Sequence, residues 1–235
     1  MSLPCYPLPD AQMTMSIAAR CPLTGMVGVA VASSSIAVAS RCAHVRAGVG
    51  AALSQNVTDP NLGRLALDLM QSGKRASEIV DLFRTGHPYI GWRQLVLLPS
   101  AGAPAVFSGD RTLGIFGESL SRDCAAAGNL LANGTVPGEM TRAFEESQGH
   151  LADRLLKALR AGLKCGGEAS QLHAAGVLIA DKVSWPVVDL RVDWSDDPIE
   201  QLCFLWELYQ PQLDAYVQRA QSPDAAPSYG VAGDP

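Results

Sequence analysis

Residues 14–33 read TMSIAARCPLTGMVGVAVAS. Thr14, Ser16 and Ala18 fall on one side of a period-two pattern, and Met15, Ile17 and Ala19 on the other. That alternation predicts a β-strand over Thr14–Ala19 with two chemically different faces. Pro22 is followed by Gly25, which predicts a tight turn with Gly25 supplying the positive φ. Met26–Ser33 then reads as a second strand of small residues, the composition of a surface on which another layer packs closely.

Outward from this hairpin, Val45–Gln55 reads as one further strand, with Gly48 and Gly50 taken as sites of close sheet packing. Leu62, Leu65, Ala66, Leu69 and Met70 form a helical stripe that stops at Gly73, and a second helix runs from Ser77 to Gly86. Strands are predicted at Gln94–Leu98, Ala105–Ser108 and Ala125–Leu131. Two helices follow, one on Met140, Ala143 and Phe144, the other on Leu151, Leu155, Leu156 and Leu159. Strands at Ala174–Ala180 and Pro186–Val192 precede a helix opened by Asp196-Asp197-Pro198, with a kink or restart at Pro211. Strands come in groups and helices in pairs. This order excludes a regular βα alternation and predicts an α+β fold, with two antiparallel sheets sandwiched between helix layers.

The chain has 235 residues, 48% hydrophobic and 17% charged, which suits one domain over residues 14–220. Residues 1–13 read as an arm and residues 221–235 as a flexible tail rich in Pro, Gly and Ala. Eighteen basic against 23 acidic residues give −5, with no basic cluster, so neither nucleic acid nor an anionic membrane is expected as a partner. The opening MSLPCYPLPD lacks the features of a secretory signal, and no apolar run would span a bilayer. A cytoplasmic protein is expected. Six cysteines without CxxC pairing and four scattered histidines predict reduced thiols, no structural metal and no cofactor. Phe204, Leu205 and Leu208 add a second apolar face to the last helix, which predicts a homo-oligomer.

No complete catalytic motif is present. The candidates are polar residues at strand ends: Thr14 and Ser16, Ser33, Ser34 and Ser35, Ser54 and Gln55. Asn129 interrupts the apolar run CAAAGNLLAN, and a buried amide needs partners. Arg46 and Arg191 are candidate clamps for a substrate carboxylate, and Arg20 is a third. Asp189, Arg191 and Asp193 also suit a charge ladder along one strand face.

Five collinear blocks resemble a known family. They are Thr14–Ser33, Arg46–Gln55 (RAGVGAALSQ), Ala127–Leu130 (AGNL), Leu151–Gly162 (LADRLLKALRAG) and Val188–Leu202 (VDLRVDWSDDPIEQL). Together they resemble the bacterial domain-of-unknown-function family 1028, placed among N-terminal-nucleophile hydrolase-like folds. The resemblance implies a four-layer αββα sandwich. It also implies that Thr14 stands where such enzymes carry their nucleophile, whose own α-amino group is the base. Asn129 would donate to an oxyanion. With Met13 attached, however, the Thr14 nitrogen is an amide and cannot act as a base. The family pattern before the penultimate strand becomes Gly166-Gly167-Glu168-Ala169-Ser170-Gln171-Leu172-His173 here, which makes Glu168 and His173 reserve acid/base candidates. The expected function is hydrolysis of an amide-type C–N bond in a small carboxylate-bearing substrate, with Ser34, Gln55, Arg46 and Arg191 as substrate contacts. The alternatives are hydrolytic deamination of an enamine or imine, and a non-catalytic ligand-binding or assembly protein on the same fold.

Overall fold

The computed structural model of the chain describes residues 14–167 and 170–231. Strands β1 (Thr14–Arg20) and β2 (Val27–Ser33) form the expected hairpin, with Thr14 opposite Ser33 and Arg20 opposite Val27. Gly25 closes the turn at φ 81°. A short helix α1 (Ala39–Cys42) leads into β3 (Ala43–Arg46) and β4 (Gly50–Asn56), followed by helices α2 (Pro60–Gln71) and α3 (Ala76–Gly86). Strands β5 (Arg93–Pro99), β6 (Ala105–Ser108), β7 (Gly117–Leu120) and β8 (Cys124–Asn129) come next. Then come α4 (Val136–Glu146), α5 (Leu151–Lys164), β9 (Ala174–Ala180), β10 (Val188–Val192), α6 (Pro198–Tyr209) and α7 (Leu213–Gln221).

The strands make a six-stranded sheet, order β10-β9-β2-β1-β8-β7, and a four-stranded sheet, order β3-β4-β5-β6. Every strand pairing among the described residues is antiparallel. The alternation of β1 is realised in full. Met15, Ile17 and Ala19 pack under Phe144, Leu155 and Leu159 of the α4–α5 layer. Ala18 faces the other sheet with Val29, Leu53, Val96 and Ala127. The outer face of the smaller sheet, including Leu95 and Leu97, is covered by Leu62, Ala66, Ile79 and Phe83 of α2 and α3. The result is the α+β, four-layer αββα sandwich.

Three local expectations change. Val45–Gln55 is a hairpin, not one strand: Gly48 has φ 69°, and Arg46 pairs with Gly50 across the turn. Gly50 does serve close packing, since a Cβ there would lie 2.5 Å from the Leu98 carbonyl oxygen. The strand expected at Ala125–Leu131 ends at Asn129, because Leu130 turns left-handed at φ 51° and its N–H goes to Leu113 O. The edge strand β7 has no apolar alternation to announce it; its sequence is GESL.

Two polar devices join the sheets, one at each end. Arg20 ends β1 and bonds Asp123 Oδ1 (2.8 Å) and the carbonyls of Pro99, Gly102 and Arg122. Four of the five N–H groups of that guanidinium are thereby engaged, which makes Arg20 a structural tie between the sheets. At the other end a chain of amides crosses between the layers. Ser16 Oγ donates to Gln55 Oε1 (2.6 Å), and Gln55 Nε2 donates to Gln94 Oε1 (2.8 Å). Asn129 Nδ2 donates to the same Gln94 oxygen at 3.1 Å. Main-chain carbonyls can only accept, and they fix the orientation of both glutamines: Gln55 Nε2 also reaches Ala127 O, and Gln94 Nε2 reaches Gly128 O. Ser16, Gln55, Gln94 and Asn129 are all fully buried.

Helix α5 begins at an unusual cap. His150 Nδ1 accepts from Ala152 N–H (3.1 Å), and the ring stacks on Trp206 at 4.8 Å. Burial pushes the His150 pKa below its usual 6.5, against the opposing pull of Asp153, Asp181 and Asp214. The first of these aspartates also accepts from Trp206 Nε1.

Two expectations follow. Gln94→Met leaves Gln55, Asn129 and Gly128 with unmatched buried groups and should cost about 3 kcal/mol in urea unfolding. For His150 the unfolded state takes up a proton at higher pH than the folded state does. Its contribution is therefore complete above the unfolded value of 6.5 and is lost as pH falls below it. His150→Asn keeps a capping acceptor and should flatten the stability–pH curve in that window, measured by thermal melts.

Candidate functional site

The amide chain delivers its last member to the end of β1. In register, Thr14 lies between Ser33 on β2 and Asn129 on β8. Residues directly opposite on neighbouring strands project to the same face, with Cβ atoms roughly 5 Å apart. Thr14 Oγ1 is 3.3 Å from Ser33 Oγ, and Ser33 Oγ is 3.0 Å from Ser35 Oγ. Arg41 Nη2 donates to Ser35 Oγ at 2.6 Å, while its Nη1 holds Ile36 O and Ala37 O. Thr14 thus stands where two polar systems meet: buried amides on one side and a line of hydroxyls ending in a cation on the other. It is itself 5% exposed.

Asn129 carries an acceptor beside the donor expected of it. Gln94 Oε1 holds one of its two Nδ2 hydrogens, which leaves the second for an oxyanion. The atom left without a partner among the described residues is Oδ1, an acceptor with almost no solvent contact. A buried lone acceptor is costly, and such sites are matched by an N–H or O–H donor when occupied.

Backbone strain gathers at the same end. Ala37, just beyond β2, has φ 52°; Asn56, which ends β4, has 68°; Leu130, just beyond β8, has 51°. Left-handed Ala and Leu cost free energy that neighbours must offset, and such residues concentrate at functional sites. Here the offsets are Arg41 to Ala37 O and Leu130 N–H to Leu113 O.

His173 lies on the same rim, one strand further out. Its N–H bonds Ser33 O, immediately before the Ser33–Ala174 pair of β2 and β9. Its ring stacks on Trp194 with centroids 4.1 Å apart and planes 9° apart. Nδ1 is 3.1 Å from Ser195 O, a carbonyl that only accepts, so the neutral ring carries its hydrogen on Nδ1 and its lone pair on Nε2. Two strand spacings, about 10 Å, separate the Thr14 and Ala174 backbones. Ser34 is fully buried beside Ser33, and Gln55 belongs to the amide chain. Glu168 falls outside the described residues.

The expected arginine clamps do not gather here. Arg46 pairs with Gly50, five residues along β4 from Gln55, about 17 Å in an extended strand. It bonds Asp68 Oδ1 at 2.8 Å and Gln71 Oε1 at 2.6 Å on α2, so its place as a substrate contact beside Thr14 is withdrawn. Arg191 grips Asp189 with both Nε (2.7 Å) and Nη2 (2.8 Å), the carboxylate pair that the charge ladder also allowed. Arg41 and Gln94 are the members of the site that sequence reading did not single out. Only the polar interruption of strand β5 by Gln94 could have pointed to the latter. Among the described residues no three His, Cys, Asp or Glu side chains group as metal ligands, and Cys21, Cys42, Cys124, Cys165 and Cys203 are free thiols.

Comparison with solved structures places this geometry in context. The chain resembles a Silicibacter pomeroyi protein matched by the DUF1028 family model, with 30% identity and a TM-score of 0.77. The alignment covers 85% of this chain and 89% of that one. Eukaryotic HslV from Trypanosoma brucei also aligns, at 9% identity and a TM-score of 0.42, over 71% of this chain and 99% of its own. No curated protein matches. The family model for DUF1028, described as a family of unknown function, matches residues 14–202, and the chain belongs to that family.

Proposed function

We propose that the protein is a small-molecule hydrolase that cleaves an amide-type C–N bond in a small carboxylate-bearing substrate. One observation supports this most: the Thr14 hydroxyl lies in register with Asn129, whose buried Oδ1 has no partner among the described residues. Thr14 supplies an oxygen that can attack a carbonyl or orient water. Asn129 Oδ1 accepts the N–H of the scissile group, a contact that an ester cannot make. His173 supplies the acid or base through Nε2, and Glu168 stays in reserve. Ser34 becomes a substrate contact when the buried edge opens, and Gln55 supports Asn129 from behind through Gln94. Arg191, three strand spacings or about 14 Å from β1, takes the distal carboxylate by exchanging Asp189 for substrate. Since Thr14 and Asn129 are covered, turnover requires this edge to open.

While Met13 remains attached, the Thr14 nitrogen is no base. In that state Thr14 orients water, and hydrolytic deamination of an enamine or imine is the variant that needs no covalent step. A non-catalytic binding role has its own observation. A cleft of about 390 Å³ opens elsewhere, walled by Met26, Val183, Val187, Leu213 and Val217, and contains none of the site residues.

Thr14→Val keeps the shape and deletes the hydroxyl. Against a hit from a screen of small amides and amino-acid-derived enamines, the rate should fall roughly 10²-fold, ~2.7 kcal/mol of transition-state stabilisation. A folded variant, by circular dichroism, with unchanged turnover removes Thr14 from the mechanism. The intact mass of freshly purified protein tells whether the α-amino group of Thr14 is free. A homo-oligomer is proposed from α6, where Phe204 and Leu208 remain 58% and 54% exposed. Light scattering at micromolar concentration should give a multiple of 24.8 kDa, and a monomeric mass refutes it.

A further inference from the structure

Arg20 has one hydrogen-bond donor left over, and a cleft lies beside it. Its guanidinium gives Nε–H to Asp123, both Nη1 hydrogens to Pro99 O and Gly102 O, and one Nη2 hydrogen to Arg122 O. A guanidinium carries five N–H groups, so the second Nη2 hydrogen has no acceptor among the described residues. The side chain is 11% exposed, and it lines a cleft of about 580 Å³. Gly102, Ala103 and Pro104 reach that cleft from the β5–β6 turn of one sheet. Leu120, Ser121 and Arg122 reach it from the end of β7 and the β7–β8 turn of the other.

Charge around the cleft is uneven. Arg20 has Asp123 as its counterion at 2.8 Å. Arg122 is exposed, and its guanidinium has no hydrogen bond or ion pair among the described residues. Ser121 gives its hydrogen to Glu145, and neither Glu145 nor Asp123 lines the cleft. Two arginines therefore border a space that no acidic side chain borders. Leu120, half exposed, adds apolar surface together with Ala103 and Pro104. A bare inorganic anion would leave that surface uncovered, whereas an anionic head on a short hydrocarbon body would match both parts.

We propose that this cleft is a binding site for the carboxylate of a small aliphatic acid, separate from the Thr14 site. The spare Nη2 hydrogen of Arg20 and the guanidinium of Arg122 hold the carboxylate oxygens, which accept several hydrogen bonds between them. Leu120 and Pro104 cover the hydrocarbon body. Thr14 begins β1 and Arg20 ends it, about 20 Å apart along an extended strand, so one small molecule does not serve both. The carboxylate clamp expected at Arg20 thus returns, at the end of β1 away from Thr14. Because Arg20 already ties carbonyls of both sheets, a ligand held there adds to that junction and stabilises the folded chain by mass action.

Titration of isotope-labelled protein with butyrate at constant ionic strength, followed by NMR, reads the site. Saturable shifts are expected at the Arg20 side-chain N–H and at the Gly102 and Ala103 amides. They should persist in Thr14→Val, which keeps this result apart from the fate of the catalytic reading. Arg122→Gln, on an exposed side chain, should weaken binding roughly tenfold, and Arg122→Lys should restore part of it. Leu120→Glu puts a carboxylate into the cleft and should abolish both the shifts and the rise in Tm that butyrate gives the wild type. Shifts that never saturate, or wild-type affinity in Arg122→Gln, overturn the site. Inorganic phosphate saturating the same groups more tightly than butyrate overturns the assignment to an aliphatic acid.

Discussion

Gln94 receives two donors on one oxygen and sends its own hydrogens to Ser108 and Gly128 O. That single buried amide ties β5 of one sheet to β8 of the other and, through Gln55, to Ser16 on β1. A chain of amides admits one internally consistent orientation once its carbonyl partners are fixed. Ala127 O and Gly128 O fix it here. The orientation of Asn129 follows, with Nδ2 held by Gln94 and Oδ1 left over. That Asn129 Oδ1 has no partner among the described residues is therefore a consequence of how the two sheets are joined.

Such a join needs the sheets to be close. The interface between them is largely Ala and Val, with Ala18, Ala51, Ala125 and Ala127 at its centre. Glycine serves the helix contacts of the same sheet: a Cβ at Gly28 would meet Leu155 of α5 at 3.1 Å, and one at Gly176 would meet the Ala39 side chain of α1 at 2.4 Å. Small residues give up hydrophobic area per residue but allow short polar side chains to bridge the layers. Ser16 reaches Gln55 at 2.6 Å only because of that spacing.

Much of this was legible in the chain. The alternation of residues 14–19 gave both faces of β1, and the grouping of strands and helices gave the layered architecture. The polar strand ends Thr14, Ser33, Ser35 and Gln55 do meet at one end of the sandwich. What stayed hidden shares a physical cause: it depends on contacts between residues far apart in sequence. Periodicity cannot distinguish a strand from a hairpin when the turn residues are themselves apolar, as at Ala47-Gly48-Val49. Arg46 and Arg41 look alike in sequence, yet one ends β3, opposite the start of β4, and the other lies behind Ser35 on the turn after β2. His173 lies two strands from Thr14, where Trp194 and Ser195 O hold its ring, contacts that its place in the sequence does not announce.

The two polar systems at Thr14 differ in rigidity. The amide side lies on strand residues of both sheets, fully buried and locked by main-chain carbonyls of β8. The hydroxyl side lies partly on the turn after β2, where Ile36 is 60% exposed and Ala37 is held left-handed. Strain in a turn is retained only while its clamps hold, and those clamps are Arg41 and the Ala37 N–H to Asp193 O bond at 3.0 Å. If this edge opens to admit a ligand, the hydroxyl side is the part that can yield, because moving the amides would unmatch buried groups in two sheets at once.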